Sequence, residues 1–195
     1  MLAERPLTDI SVEEVAARAG VGKASVYRRW PSKGTLAFDA FVSEFGRRHP
    51  AVDTGSFAGD LLADLRAWVR AVRATTVGQT LRGLLAEVQR DPDLADAWKE
   101  RFVEPMRTQH RAMVERAILR GEVPPGIDVD FLLDLLYGPA YHRLLHGHLP
   151  LSDAFVVGVV DAVVAAVGCG PATGRPPPAG GRGRREPETR TPARA

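Results

Sequence analysis

The residues whose chemistry is easiest to interpret are cations that lie close together near the N-terminus. Residues 15–38 contain no Asp or Glu. The cations of this segment are Arg18, Lys23, Arg28, Arg29 and Lys33. Such side chains bind phosphate oxygens and also donate to guanine O6 and N7 in the major groove of DNA. A compact basic patch on a chain with a formal net charge of only +2 indicates one surface that faces a polyanion.

The sequence around these cations predicts two short helices joined by a tight turn. Ser11 and Glu14 form an S-x-x-E capping box that begins the first helix, and Gly20 is placed to end it. A second helix begins at Lys23 and ends before Pro31, because proline disfavours helical geometry in the residue before it. This arrangement predicts a helix-turn-helix, whose second helix enters the major groove of DNA.

The same stretch resembles the helix-turn-helix of the TetR family of bacterial transcriptional regulators. The matching pattern, T-x-x-x-V-x-x-V-A-x-x-A-G-V-x-x-x-x-V-Y-R-R-W-x-x-K, runs from Thr8 to Lys33. The resemblance implies an all-α homodimer that binds a palindromic operator and has a variable ligand cavity in its larger domain. It also implies DNA contacts at matching positions, to which we add Arg28. The matching positions are Ser11, Lys23, Ala24, Ser25, Tyr27, Arg29 and Lys33.

Helical patterns continue through the rest of the chain up to a polar tail. Apolar residues spaced by three and four predict four further helices. Pro105 lies inside the second of them and is predicted to kink or break that helix. These helices cover about 56–76, 93–120, 128–147 and 153–167. Residues 94–145 resemble, more weakly, the C-terminal domain of one TetR subgroup.

These patterns predict an all-α fold with two domains and a tail. Residues 1–49 form a small three-helix DNA-binding domain, and residues 56–167 form a larger C-terminal helical bundle that binds a ligand and dimerises. Residues 168–195 are rich in Gly, Pro and Arg and are predicted to be disordered. The arginines of this tail could touch nucleic acid, although a solvated tail is the simpler interpretation.

The small domain departs from the family pattern at its start. Family members carry a full first helix, preceded by a basic arm, and here only residues 1–5 correspond to it. We therefore expect a truncated first helix, with Val12, Val15 and Phe38 losing part of their cover. Two explanations stay open: an upstream translation start, which we favour, or a product that folds poorly at its N-terminus and binds DNA weakly.

The last predicted helix is apolar nearly all round. Its valines leave little surface for solvent, and burial against a second copy of the chain is the natural solution. A β-strand is the alternative, since valine favours strands, but no partner strand is visible.

Several large side chains of the bundle could enclose an apolar effector. The candidates are Trp68, Trp98, Phe102, Met106, His110, Met113, Tyr137 and Tyr141. Taken singly, each fits core packing better, and only the family context favours a cavity. His142, His146 and His148 could form a metal site, but no acid or cysteine stands close, so we predict no metal.

Composition and motifs exclude several other classes of protein. The single cysteine, Cys169, excludes an intramolecular disulfide. No apolar run reaches the roughly 18 residues of a membrane span, and no signal peptide is recognisable, so we expect a cytoplasmic protein without a membrane partner. No nucleophile elbow, phosphate loop or Cys-His arrangement is present, so we predict neither an enzyme nor a cofactor.

We therefore predict a homodimeric transcriptional regulator. It would act as a repressor that a small-molecule effector releases from double-stranded operator DNA. The alternative is a helical ligand-binding or protein-interaction module that has lost DNA binding along with its truncated first helix.

Overall fold

The computed structural model of the chain describes residues 10–49, 52–73 and 75–168. The α-helices are α1 Val12–Ala19, α2 Lys23–Arg29, α3 Lys33–Arg48, α4 Phe57–Arg73, α5 Thr75–Val88, α6 Pro92–Trp98, α7 Glu104–Leu119, α8 Val129–His146 and α9 Asp153–Ala166. No strand occurs in these ranges, and the valine-rich segment is helix α9. The all-α prediction is confirmed. Residues 1–5, predicted to be the remainder of a first helix, and the predicted tail after Gly168 lie outside the described residues.

Helices α1 and α2 form the predicted helix-turn-helix. Ser11 Oγ accepts a hydrogen bond from the Glu14 amide at 3.1 Å, and the Glu14 side chain accepts one from the Ser11 amide. Gly20 ends α1 in the left-handed conformation, with φ of 69°, which glycine adopts without steric cost. Val12 of α1 and Val26 of α2 are buried against each other in a small cluster of their own. The turn and the cap thus fix the angle at which α2 leaves α1.

Helix α3 joins the helix-turn-helix to the larger bundle. Its phenylalanines, Phe38, Phe41 and Phe45, are buried and belong to the core of the bundle. The Phe41 ring lies 5.8 Å from that of Trp98 and 5.2 Å from that of Phe102, measured between centroids. Phe38, which we expected to lose part of its cover, is only 1% exposed because Trp98 packs against it.

The larger domain is built around α4. This helix buries most of its length against α5, α7, α8 and α9. Helix α5 packs beside α4, and Gly78 of α5 closely approaches the Val72 backbone of α4. A Cβ atom on residue 78 would overlap the Val72 carbonyl oxygen, so only glycine fits this approach. Helix α5 was not predicted from the sequence, although Val77, Leu81 and Leu84 have helical spacing and are buried.

The irregularity predicted at Pro105 takes the form of a π-helical turn just before the proline. Five residues before α7, Lys99–Val103, form a π-helical turn, and Pro105 lies in the first turn of α7. Residues 92–119 stay helical throughout, so the helix does not end at Pro105. Proline has no N–H to bond a carbonyl one turn back, and the π-helical turn lies where that hydrogen bond is missing.

Helices α8 and α9 close the bundle, and each begins at a side-chain cap. Asp128 caps α8 by accepting from the Phe131 amide at 3.0 Å, and Ser152 caps α9 by accepting from the Phe155 amide at 3.2 Å. Helix α8 ends at Gly147, in the left-handed conformation. The two helices pack against each other and leave an open groove on their outer side.

Candidate DNA-binding surface and effector cavity

Helix α2 presents most of its surface to solvent. Val26 is the buried residue of α2, with 3% of its surface exposed, and it faces the protein interior. The exposed residues of α2 are Lys23, Ala24, Ser25, Tyr27, Arg28 and Arg29. Tyr27, with 41% of its surface exposed, offers a hydroxyl beside the arginines. Six of the eight predicted DNA-binding residues therefore share one short exposed helix.

Ser11 and Lys33, the other two predicted residues, flank α2 at the ends of neighbouring helices. Ser11 is exposed but its hydroxyl is used in the α1 capping box. Lys33 begins α3 and is half-buried. Ser32 caps α3 by accepting from the Thr35 amide at 3.1 Å. Lys33 therefore stands at the positive end of a helix dipole, where phosphate groups bind favourably.

Two cations of α2 have contacts of their own. Lys23 forms an exposed ion pair with Glu13 of α1, and this hydrogen bond raises the pKa of Lys23. The Arg29 guanidinium lies 5.1 Å from the centroid of the Trp30 ring. Such contacts orient long side chains but leave their donors accessible, since both residues are exposed. The ion pair with Glu13 was not predicted from the sequence.

A hydrogen-bonded chain links the end of α2 to the larger domain. Trp30 Nε1 donates to Asp39 of α3 at 2.8 Å. The same carboxylate pairs with Arg101 of the π-helical turn at 2.7 Å. The position of α2 is thus tied through α3 to the bundle. Neither Asp39 nor Arg101 stood out in the sequence, because charged residues at such spacings usually lie on solvated faces.

A cavity of about 350 Å³ lies inside the bundle between α5, α6, α7 and α8. Six of the eight candidate ligand-binding residues line it: Trp98, Phe102, Met106, His110, Tyr137 and Tyr141. The other lining residues are Leu85, Val103, Arg107, Leu133, Asp134 and Gly138. Trp68 and Met113 do not line it; they are buried in the core behind it.

The walls of this cavity are mostly aromatic and aliphatic, with two polar regions. Arg107 forms ion pairs with Asp130 at 2.6 Å and Asp134 at 3.1 Å. At the other polar region, His110 and Tyr137 are both buried and bonded to each other, with Nε2 and the hydroxyl oxygen 3.1 Å apart. A mostly apolar cavity with a few fixed polar groups suits a small organic molecule.

Comparison with known proteins places both regions in one family. The profile described as "Bacterial regulatory proteins, tetR family" matches residues 1–40, and the one described as "Tetracyclin repressor-like, C-terminal domain" matches residues 51–163. The chain belongs to the TetR family. It is a DNA-binding transcriptional regulator of the helix-turn-helix type, as the sequence resemblance predicted. The DNA-binding profile spans α1, α2 and the start of α3, so the exposed helix α2 lies within the matched helix-turn-helix.

Relatives and solved structures agree with this assignment to the TetR family. The chain is 31% identical to the HTH-type transcriptional regulator YdeS of Bacillus subtilis over 160 residues, which cover 82% of the chain and 80% of the relative. It is 32% identical to a DNA-binding transcriptional repressor TetR of Mycobacteroides abscessus, with 79% and 80% covered. The crystal structure of the TetR family regulator SCO0332 superposes with a TM-score of 0.75 at 35% identity, covering 83% and 88%.

The TetR matches bear on the other predictions as well. They do not favour the alternative of a module without DNA binding, because the DNA-binding profile matches this chain. They point to DNA-binding regulators, which are not enzymes. The His142 ring centroid lies 4.6 Å from that of His146 and 4.9 Å from that of His148, yet no group of residues arranged to hold a metal ion occurs in the described ranges. None of the helices described here is long and apolar enough to span a bilayer.

Proposed function

We propose that this TetR-type regulator is a repressor that binds a palindromic operator as a dimer and is released by a small organic effector. The observation that carries the proposal is that α3 connects two regions of the fold. It directly follows the exposed cationic helix α2, and its buried phenylalanines pack against residues that line the apolar cavity. Since the target is chromosomal DNA, the protein acts in the cytoplasm, at the nucleoid. The relative from Mycobacteroides abscessus is named a DNA-binding transcriptional repressor, which supports the repressor part of the proposal.

DNA recognition is tested by selecting duplexes from a random library with the full chain and measuring affinity for the selected sequence. We expect a palindrome with half-sites about one helical turn apart. Because the contacts are largely to phosphates, affinity should fall steeply with salt. Absence of any selected sequence at low salt would overturn the proposal.

Replacement of Arg28 or Arg29 by alanine tests the placement of the recognition helix. Loss of an arginine that reads a base is expected to weaken operator binding by about 1–3 kcal/mol and to relax specificity at one base pair. Arg90→Ala, an exposed arginine after α5, is the matched control and should leave affinity unchanged. Unchanged affinity in both Arg28→Ala and Arg29→Ala would contradict our assignment of these side chains to DNA contacts.

The proposed dimer forms through the outer groove of α8 and α9. This groove, of about 500 Å³, is lined mainly by apolar residues, among them Leu135, Phe155 and Val159. Phe131, one turn before Leu135 on α8, is 61% exposed. An apolar surface of this kind on two adjacent helices matches the self-complementary patch of a two-fold dimer. Burial of this surface in a dimer also explains why α9 is apolar on the face that its own subunit does not cover.

A charge placed in the groove should separate the subunits. Ala162 and Ala165 are both exposed on α9, but only Ala162 lines the groove. Ala162→Glu buries two like charges in a symmetric interface, a cost of several kcal/mol, and we expect a monomer in sedimentation equilibrium. Ala165→Glu should remain dimeric. A dimeric Ala162→Glu variant would place the interface elsewhere.

A further inference from the structure

Asp64, in the middle of α4, is a buried carboxylate that contacts groups from three other parts of the fold. The residue is 0% exposed. Its Oδ2 accepts from the Tyr137 hydroxyl of α8 at 2.5 Å and from His110 Nε2 of α7 at 2.9 Å. His49 follows α3, and its Nε2 lies 3.2 Å from Asp64 Oδ1 and 3.2 Å from the Asp64 carbonyl oxygen. One carboxylate therefore joins α3, α4, α7 and α8.

Hydrogen-bond partners define the protonation of His110 in this cluster. Its Nδ1 lies 2.6 Å from the Met106 carbonyl oxygen, while Nε2 faces the Asp64 carboxylate. Both partners are acceptors, so both ring nitrogens carry protons and the ring is an imidazolium. Burial alone would lower the pKa of His110, but Asp64 and the Met106 carbonyl outweigh it and raise that pKa. Asp64 is therefore held as an anion by a cation and a hydroxyl on the same oxygen.

The effector cavity meets this cluster through two of its four members. His110 and Tyr137 line the cavity, whereas Asp64 and His49 stand behind them. On the far side, His49 directly follows the helix that carries Asp39, the partner of Trp30. The order in space is thus cavity, Tyr137, Asp64, His49 and then α3, which positions the recognition helix.

We propose that Asp64 couples the cavity to α3, so that loss of the Tyr137 hydrogen bond loosens the contact with His49 and lowers operator affinity. The proposal rests on the repressor function proposed above and describes how a change in the cavity reaches α3. Asp64 Oδ1 has no well-directed hydrogen bond of its own, so its place beside His49 depends on the donors that fix Oδ2. When one of them is lost, the carboxylate can turn away from His49.

The chemical group that would operate this coupling is an oxygen acceptor on a flat apolar molecule. Trp98, Phe102 and Tyr141 supply aromatic walls, and Tyr137 supplies a hydroxyl that rotates about its C–O bond. A carbonyl or carboxylate oxygen in the cavity competes with Asp64 for that proton. Binding then has the same consequence for Asp64 as removal of the hydroxyl by mutation.

The test compares Tyr137→Phe with Thr80→Val in the full-length protein. Both variants remove a buried hydroxyl, but only the Tyr137 hydroxyl bonds Asp64, and Thr80 of α5 does not line the cavity. We expect amide hydrogen exchange over residues 45–49 to become about tenfold faster in Tyr137→Phe, in the range for a lost hydrogen bond to a charged group. Affinity for the selected operator should fall about fivefold or more. Thr80→Val should match the wild type in both measurements.

His49→Phe, which leaves the cavity lining intact, is the second variant. It should accelerate exchange over residues 45–49 by itself, and adding Tyr137→Phe should produce no further change. Equal behaviour of Tyr137→Phe and Thr80→Val, or fully additive effects with His49→Phe, would overturn the coupling. If the wild type selected no duplex, the proposed repressor function would fail, and the exchange measurements without DNA would still decide whether Asp64 couples the two sites.

Discussion

Asp64→Ala is expected to lower the free energy of unfolding by about 3–5 kcal/mol, measured by urea denaturation at pH 6. The substitution leaves His110, itself 1% exposed, as a buried cation without its counter-ion, and it removes the acceptor of the Tyr137 hydroxyl. Alanine replaces neither the charge nor the volume of the carboxylate. The expected loss is therefore that of a broken buried ion pair.

Asp153→Ala is the matched control for Asp64→Ala. Asp153 also pairs with a residue of α4, Arg66, at 2.7 Å, but its side chain is 65% exposed. Solvent screens such a pair, so the expected loss is about 1 kcal/mol or less. A loss of similar size in the two variants would contradict the assignment of Asp64 to a buried ion pair.

The same assignment can be checked from the difference in unfolding free energy between the wild type and Asp64→Ala, measured as a function of pH. Burial would raise the pKa of Asp64, but its contacts with His110 and His49 outweigh burial and hold that pKa well below the usual 3.8, so the stabilising contribution of Asp64 is lost only in strong acid. The pKa of His110 is raised above its usual 6.5, so its contribution is complete below that pH and declines as pH rises through the raised value. The difference in unfolding free energy should therefore be largest between about pH 4 and 6.5.

Local sequence signals predicted the helix-turn-helix and most helix boundaries. The S-x-x-E box, Gly20 and Pro31 act on their immediate neighbours, so their effects can be interpreted from short stretches of sequence. Helix α5 was missed because its threonines and glycines dilute a spacing that tertiary packing completes. The proline marked the site of an irregularity, but its form, a π-helical turn just before Pro105 and not a break, depends on local backbone geometry that residue spacing does not specify.

The Asp64 cluster was not predictable by the same means. Its partners are 15, 46 and 73 residues away from Asp64 along the chain. An aspartate on an amphipathic helix normally belongs to the solvated face, and its local sequence contains nothing that favours burial. His110 and Tyr137 were singled out because they follow an apolar helical face and because the family has a cavity. Their bond to the carboxylate depends on how α4, α7 and α8 pack, which short-range spacing does not specify.

Trp98→Ala is expected to destabilise the protein by about 3–5 kcal/mol and to loosen the junction between the two domains. Trp98 is 8% exposed and packs against Phe38 and Phe41 of α3 on one side while lining the cavity on the other. Its ring centroid lies 4.6 Å from that of Phe102. Loss of the indole opens a void between α3 and the bundle, and the neighbouring rings can fill it only in part.

Trp98→Phe and Leu119→Ala separate this junction effect from a general loss of apolar surface. Phenylalanine keeps an aromatic ring against Phe41, so Trp98→Phe should lose less stability than Trp98→Ala in urea denaturation. Leu119 is 87% exposed, and its truncation should change the unfolding free energy by about 0.5 kcal/mol or less. Because Trp98 belongs to both the cavity wall and the α3 contact, Trp98→Ala should also accelerate amide exchange in α3. Intact protection of α3 in that variant would show that the aromatic junction does not hold the DNA-binding domain to the bundle.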